Sequence, residues 1–382
     1  MIILKNSFDK KMRELISATT IAFAISFITH FPGLNGYTDI IYLYYRDVLG
    51  KEHPPPFNYT ILPGLVQLIC SLVPGAKQSD QIYASAMAFM LYLFAIGTVL
   101  IIYKLCILME KDFYRIYLFL IFTPSFIFFS YYDFELIEIF FLFLSIYMFI
   151  KKRIKASALS LGLAIAAKLI PIIYIPAFLS KINGWRERGR FLILTVLGWL
   201  IPNIYFIISN WDGWSFIYRS QLEWGIEDSW LIYLFPQMSP MSKYISAVLF
   251  TYVMIKVLTK IPQHGLLEKC WALTLGFVFT NFKVPPQYAL LLLPYFVLIP
   301  KIPLQAFYIP ELLNWLIIVF WFNPQFNFGN PLSPYSPVQA ISALRQFIWF
   351  IFFIWILYPE KLFNLWIYLK KPINEGAKQN ST

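Results

Sequence analysis

The sequence predicts an all-α, polytopic integral membrane protein, and three observations support that fold class. Hydrophobic residues make up 59% of the 382 residues and charged residues only 13%, about half the charged fraction of an ordinary soluble domain. The mean hydropathy is +0.63. Apolar runs, many of them near the roughly 20 residues that cross a bilayer, alternate with basic turns. The net charge of +11 is therefore expected to mark cytoplasmic turns beside membrane lipids, and no nucleic-acid partner is predicted.

The apolar runs predict about twelve membrane crossings in one transmembrane domain, two of them half-length. Basic residues flank both ends of the chain, so both termini are expected in the cytoplasm. The segment 61–73 is too short to cross and is expected to be interfacial or re-entrant. The predicted full spans are 15–31, 82–105, 114–130, 137–150, 191–209, 244–258, 267–282, 286–299, 304–322 and 338–357.

The segment between the basic turns 151–155 and 180–190 decides the predicted topology. It is long enough for one ordinary span or for two half-length helices. A single span would place one basic turn outside, whereas a hairpin keeps both turns inside. We therefore expect a hairpin with Lys168 and Pro171 at its apex, where a broken helix can line a water-filled cavity.

Asp39 is the first candidate for chemistry, because it lies in an outer loop at 32–60 of a protein that has few acids. Ionisable groups at membrane depth are costly and are therefore functional candidates. A carboxylate here can act as a general base that accepts the proton of an attacking hydroxyl. The alternative is an acid that caps a helix, since Thr38 and Asp39 form a good cap pair.

Three further acids are candidates for binding an acceptor: Asp47 in the first outer loop, and Glu227 and Asp228 in a second outer loop. Asp47 could instead pair with Lys51, four residues later on a helical segment. Asp133 and Glu135 lie at the outer end of a predicted span and are expected to be surface groups.

Cations near the membrane plane form a second group, which can stabilise the negative charge of a departing phosphate. The candidates are Lys168, Arg219 and Lys283, with Gln287 beside the last of them and Arg345 as a further cation. For the lysines the alternative is a side chain that reaches from a helix end to the interface. Arg219 could instead pair with Glu223.

Several motifs are missing from the sequence. It has no Gly-rich phosphate loop, no HExxH, no CxxC and no GxSxG, so nucleotide-driven transport, metalloprotease and serine-hydrolase functions lack their parts. Cys70, Cys106 and Cys270 have no metal-ligand spacing and are expected to be buried thiols. No metal site or cofactor is predicted, although a divalent metal is not excluded.

Three stretches resemble known glycosyltransferase motifs. The run GYTDIIYLYYRDVLGKEHPPPFNYTILPG resembles the first outer loop of mannosyltransferase I of GPI-anchor synthesis. KASALSLGLAIAAKLIPIIYIPAFL is similar to that family's small-residue helix, which is followed by Lys and Pro. NFKVPPQYALLLLP resembles its Lys-Val and Gln-Tyr motif and the Ser-Pro-Gln-Tyr of bacterial polyprenyl-phosphate-mannose-dependent mannosyltransferases. On these motifs the chain is identified as a member of the GT-C superfamily.

The resemblance implies an inverting transferase that uses a polyprenyl- or dolichyl-phosphate sugar donor at the outer or lumenal face. Asp39 matches the base of the family's loop, Lys168 matches the Lys before the Pro, and Lys283, Gln287 and Tyr288 match the last motif. Residues 1–210 would then form the catalytic module, and 211–382 would carry the second outer loop and the C-terminal helices. The acceptor would be a glycolipid or a lipid-linked glycan.

The chain also departs from the family's pattern. Ile41 stands where a second acid is usual, which weakens a metal-binding DxD motif, and the second loop has no His-rich stretch. These departures favour a prokaryotic relative with a different acceptor. Two other classes remain open: a transporter or flippase for lipid-linked sugars, which should show matching half-helices in two halves, and a noncatalytic subunit of a larger transferase.

Overall fold

The fold is helical throughout the part of the chain that the computed structural model describes, which is residues 2–34, 36–50, 59–260, 265–299 and 301–358, with side chains from residue 10. Within these ranges no β-strand forms, and one isolated β-bridge joins Glu227 to Lys283. The helices are α1 Ile2–Thr29, α2 Asp39–Leu43, α3 Ile61–Ser71, α4 Asp80–Leu108, α5 Pro124–Phe129, α6 Glu135–Ile150, α7 Ile154–Ala167, α8 Ile175–Leu179, α9 Trp185–Ser209, α10 Trp211–Glu223, α11 Pro240–Lys260, α12 Leu266–Thr280, α13 Ala289–Leu298, α14 Leu304–Trp321, α15 Pro324–Asn327 and α16 Pro337–Leu357.

Six described helices are long and apolar enough to cross a bilayer, which supports the predicted membrane character. They correspond to Lys10–Thr29 of α1 and to α4, α9, α11, α14 and α16. Other apolar helices are shorter: α6 has 16 residues, α12 has 15 and α13 has 10. Helix length therefore does not establish the predicted twelve or so crossings.

The predicted span 114–130 is wrong as a single helix. A π-helical turn at Tyr117–Ile121 ends at Phe122, and α5 starts afresh at Pro124. Pro124 has no backbone N–H to continue the first helix but suits the first turn of a new one. The Thr123 hydroxyl caps α5 by accepting a hydrogen bond from Phe126 N at 3.1 Å. The predicted second outer loop likewise contains a helix, α10, capped by the Asn210 side chain.

The chain between α6 and α9 leaves one end of the bundle and returns to it, as the predicted hairpin requires. Helix α7 ends at Ala167, Lys168 is extended (φ −161°, ψ 147°), and a 3₁₀ turn at Ile170–Tyr174 leads into α8. At the end of α8 the Phe178 ring contacts Phe149 at the end of α6 and Phe191 at the start of α9. The break at Lys168 therefore lies at the opposite end of this hairpin.

Glycines let α7 and α9 pack backbone against backbone. A Cβ on Gly162 would lie 2.2 Å from the Thr195 carbonyl oxygen, and one on Gly198 would lie 2.4 Å from that of Leu159. Such distances are shorter than any van der Waals contact, so only glycine allows this approach. Close packing at this crossing fixes α7, and with it the position of Lys168, against the long helix α9.

Candidate functional site

Asp39 is positioned by the turn that precedes α6. Its backbone N–H donates to the Tyr132 carbonyl oxygen at 3.2 Å, and the Thr38 hydroxyl donates to the same oxygen at 2.8 Å. The Thr38 hydroxyl also accepts a hydrogen bond from Ile40 N, so Thr38 is the cap of α2. The capping role that the sequence left open for Asp39 therefore belongs to Thr38, and the Asp39 carboxylate is available for another role.

The Asp39 carboxylate is half-buried and accepts a hydrogen bond from the Tyr37 hydroxyl at 2.8 Å. Desolvation by burial, together with the nearby Asp133 carboxylate, raises the pKa of Asp39 above its ordinary value, whereas Lys283 opposes that rise. A raised carboxyl pKa lies nearer to neutral pH, which suits a group that must both accept and release a proton.

Asp133 and Glu135 are not surface groups, contrary to the prediction from their place at the end of a span. Their exposed fractions are 3% and 1%, and Glu138, one turn further along α6, is 1% exposed. We call Asp39, Asp133, Glu135 and Glu138 the carboxylate cluster. Asp133 accepts hydrogen bonds from the Tyr59 hydroxyl at 2.8 Å and from its neighbour Phe134 N at 2.8 Å.

Two carboxylate oxygens of the cluster lack partners. Among the described residues, Glu135 Oε2 and Glu138 Oε1 are buried without a hydrogen-bond partner. Unpaired buried carboxylate oxygens are costly, since each forfeits its hydration. The sequence did carry a sign of this arrangement: α6 opens with acids at both 135 and 138 in an otherwise apolar helix.

Lys168 lies against this cluster at the break of the hairpin. Its ammonium donates to Glu135 Oε1, and it lies 4.7 Å from the centre of the Tyr288 ring. The Thr60 hydroxyl donates to the carbonyl oxygen of Ala167 and so ties the end of the predicted first outer loop to the same break. Lys168 is thus a partner of Glu135 and not a free lysine that reaches for the interface.

Lys283 belongs to a second set of residues beside Asp39. Backbone hydrogen bonds from Glu227 N to Phe282 O (3.0 Å) and from Val284 N to Glu227 O (2.9 Å) hold the predicted second outer loop alongside Lys283. The Lys283 ammonium lies 3.6 Å from Glu227 Oε2 and 3.4 Å from the centre of the Trp224 ring. Burial lowers the pKa of Lys283, whereas the Glu227 carboxylate opposes that effect.

Gln287 and Asp228, the remaining predicted site residues near this loop, face different ways. Gln287 Nε2 lies 3.4 Å from Asp133 Oδ2, so Gln287 joins the carboxylate cluster. Asp228 instead turns toward α16, where it accepts hydrogen bonds from Ser342 Oγ at 3.1 Å and from Gln339 Nε2 at 3.4 Å. It is fully buried there, so the geometry does not support the predicted acceptor contact for Asp228.

Arg345 is fully buried and braces the loop that carries Lys283 and Gln287. It donates to the carbonyl oxygen of Val284 and to the side chain of Asn314, and Asn314 Nδ2 donates to Pro286 O at 2.9 Å. Pro285 and Pro286 have no backbone N–H, so this loop depends on side chains for its support.

The brace continues into α5. Asn314 Nδ2 also donates to Ser125 Oγ at 3.1 Å, and Ser125 N donates to Glu311 Oε2 at 3.0 Å. We call Arg345, Asn314, Ser125 and Glu311 the Arg345 brace. The sequence suggested Arg345 only as a cation near phosphate, and its bracing contacts join residues far apart in the chain.

The structure places two predicted site residues in other surroundings. Asp47 is buried and forms an ion pair with Arg46 at 2.6 Å, and its alternative partner Lys51 lies outside the described residues. Arg219 is exposed on α10, and within the described residues it forms no ion pair with Glu223. The three cysteines are buried free thiols, as predicted.

The arrangement brings the carboxylate cluster close to two ammonium groups, since Lys168 is bound to Glu135 and Lys283 is near enough to Asp39 to interact with its charge. In this arrangement the Asp39 carboxylate can accept a proton, and the Lys283 ammonium supplies a positive charge near Asp39. No group of three or more His, Cys, Asp or Glu side chains in the described part of the chain has metal-binding geometry.

The chain matches no protein-family model, and no curated protein is significantly similar to it.

Proposed function

We propose that this chain is an inverting glycosyltransferase of the GT-C type, which transfers a hexose, with mannose as the first candidate, from a polyprenyl- or dolichyl-phosphate sugar to a glycolipid or lipid-linked glycan. One observation carries the proposal. Asp39, Lys168, Lys283 and Gln287, which the resemblance selected from three distant stretches, meet at one group of carboxyls: Gln287 Nε2 lies 3.4 Å from Asp133, Lys168 is bound to Glu135, and Asp39 and Lys283 are near enough to Asp133 to interact with its charge.

In the proposed reaction Asp39 acts as the general base. The acceptor hydroxyl gives its proton to the Asp39 carboxylate while its oxygen forms a bond to the anomeric carbon of the donor. The bond between that carbon and the lipid-phosphate oxygen breaks in the same step, and the electron pair leaves with the phosphate. The attack from the opposite side inverts the configuration at the anomeric carbon.

Of the two lysines, Lys283 is a better candidate than Lys168 for contact with the leaving phosphate. Its 3.6 Å separation from Glu227 is longer than the 2.7–2.9 Å of a charge-assisted hydrogen bond, so the ammonium keeps donors for an anion. Lys168 is bound directly to Glu135, so we assign it to holding that carboxylate in place. Cations held before the reaction stabilise the developing charge without the cost of reorganisation.

About twelve crossings, two of them half-length, would place both termini in the cytoplasm and the site around Asp39 at the outer or lumenal face. The contact between the starts of α7 and α9 supports this arrangement, because it keeps two basic turns at one end of the bundle.

The experiment is a transfer assay with the purified full chain. It measures the transfer of labelled mannose from polyprenyl-phosphate mannose to membrane-extracted glycolipids, in parallel for wild type, Asp39→Asn and Asp112→Asn. Asp112 is exposed, and asparagine can keep its hydrogen bond from Tyr114 N, so the control makes the same chemical change away from the cluster. A parallel arm with a chelator tests for dependence on a divalent metal.

The expected result is transfer by wild type and Asp112→Asn and none by Asp39→Asn at equal folded amount. Full activity of Asp39→Asn would contradict the assigned base and would favour a noncatalytic role for this loop. If no protein transfers sugar but wild type moves labelled lipid-linked sugar across a vesicle membrane, the transporter class replaces the transferase.

A further inference from the structure

A basic groove lies at the end of the bundle opposite the break at Lys168, between the α6–α7 turn and the start of α9. Its volume is about 450 Å³. The cations that line it are Lys152, Arg153, Lys155 and Arg190, and its apolar wall includes Ile154 and Leu194. None of these residues belongs to the proposed catalytic site.

The fold builds this groove from two features. Lys152 has φ 59°, a left-handed turn that ends α6 and lets α7 begin at Ile154. The glycine contact of Gly162 with Gly198 then holds α7 and α9 together further along, so their first turns lie side by side. The cations of the α6–α7 turn and of α9 therefore face a shared space.

The charges in the groove are unbalanced. Glu187 pairs with Arg190 at 3.0 Å, and the first turn of α7 contains no acid. Lys155 lies in that first turn, where the helix dipole is positive, so its charge is unfavourable without an anion nearby. Lys152 and Arg153 add two more exposed charges next to it.

The surface next to the groove is apolar. Helix α9 continues away from it with Ile193 63%, Val196 55% and Leu197 41% exposed, on a helix apolar enough to cross a bilayer. A soluble anion would use the cations alone, whereas a phospholipid would also use this apolar path for its acyl chains. Basic pockets between membrane helices are suited to anionic lipid head groups.

We infer that this groove binds the phosphate head group of an anionic phospholipid, with the acyl chains lying along the exposed face of α9. The occupant is a lipid of the leaflet that faces this end of the bundle. The inference does not depend on the proposed transferase activity.

The test is native mass spectrometry of the purified full chain in detergent, titrated with dioleoyl-phosphatidylglycerol or with dioleoyl-phosphatidylcholine. Wild type should retain one phosphatidylglycerol at a concentration about tenfold lower than phosphatidylcholine, since each basic side chain near a head group contributes an attraction of this order. The variant Lys152→Gln/Arg153→Gln/Lys155→Gln should lose that preference.

The matched control is Lys104→Gln/Lys256→Gln/Lys260→Gln, which removes three lysines outside the groove. It should bind phosphatidylglycerol as wild type does, and equal loss in the control would overturn the inference. Release of the lipid by millimolar inorganic phosphate would also overturn it, because the groove would then bind free phosphate. Size-exclusion profiles of both variants establish that they are folded.

Discussion

The carboxylate cluster and the Arg345 brace are both buried polar networks in an apolar bundle, but their polar groups are satisfied to different degrees. In the brace, both terminal nitrogens of Arg345 and the amide nitrogen of Asn314 have partners, although Arg345 Nε has none among the described residues. In the cluster, like charges lie close together, and two buried carboxylate oxygens have no hydrogen-bond partner in the part of the chain that the structure describes.

This difference indicates a structural role for the Arg345 brace and a role in binding or reaction for the carboxylate cluster. A network whose groups are paired contributes rigidity, because breaking it leaves buried groups without partners. A network that keeps unpaired carboxylates lowers stability and persists where those groups are needed for binding or reaction. We therefore expect substitutions in the brace to change stability first and substitutions in the cluster to change activity first.

The largest effect is expected for Asp39→Asn. Loss of a general base lowers transfer by roughly 10²- to 10⁴-fold. The free energy of unfolding should stay the same or rise, because the substitution removes a half-buried charge that is repelled by the Asp133 carboxylate. Transfer rates and denaturant titrations of the same preparation measure both quantities. A large loss of stability in Asp39→Asn would place Asp39 in a supporting role and would break the comparison.

Arg345→Met should give the opposite pattern. It leaves the Val284 carbonyl and the Asn314 side chain without their donor, so the free energy of unfolding should fall by about 2 to 4 kcal/mol. Arg345→Lys keeps a donor and a charge and should lose less. Denaturant titration measures the loss, and equal stability of Arg345→Met and wild type would show that the brace does not support the loop.

Substitutions of two charged neighbours of Asp39 should shift the midpoint of the pH profile of transfer in opposite directions. Because Asp39 has a raised pKa and acts in its ionised form, kcat/KM should rise with pH to a midpoint above the ordinary carboxyl range of about 4. Asp133→Asn removes the charge that raises this pKa and should lower the midpoint. Lys283→Met removes a charge that lowers it and should raise the midpoint.

Normalised pH profiles of kcat/KM separate these shifts from changes in the maximum rate. Shifts of the two midpoints in the same direction, or a profile that does not change with either substitution, would assign the titrating group to a residue other than Asp39.

The smallest effect is expected for Arg219→Gln. Arg219 is exposed on α10, whereas Lys283 is largely buried beside Asp39. We expect transfer by Arg219→Gln within about threefold of wild type, in line with the weak contribution of exposed charges. Lys283→Gln should lose far more. A loss in Arg219→Gln as large as in Lys283→Gln would mean that α10 closes over the site during the reaction.

Local patterns predicted the helical class, the break at Lys168 and the candidates Asp39 and Lys283. The helix break could be predicted because Lys168 and Pro171 lie between two basic turns, and all of these residues belong to one short stretch of sequence. The prediction of a single span at 114–130 is wrong because a run of apolar residues does not show that a new helix starts at Pro124. The prediction that Asp133 and Glu135 are surface groups is wrong because the fold buries the start of α6, which the position of these acids at the end of an apolar run does not show.

The sequence by itself determined the composition of a membrane bundle and the positions of its rare charged residues. Only the tertiary structure decided which of those residues meet: Lys168 with Glu135, Lys283 with Glu227, and Asp228 with α16. These partners are separated by many residues, and their contacts depend on how helices pack. Helix packing depends on the fit between helix surfaces, such as the close approach of α7 and α9 at Gly162 and Gly198. No local pattern of charge or hydropathy predicts which surfaces fit together.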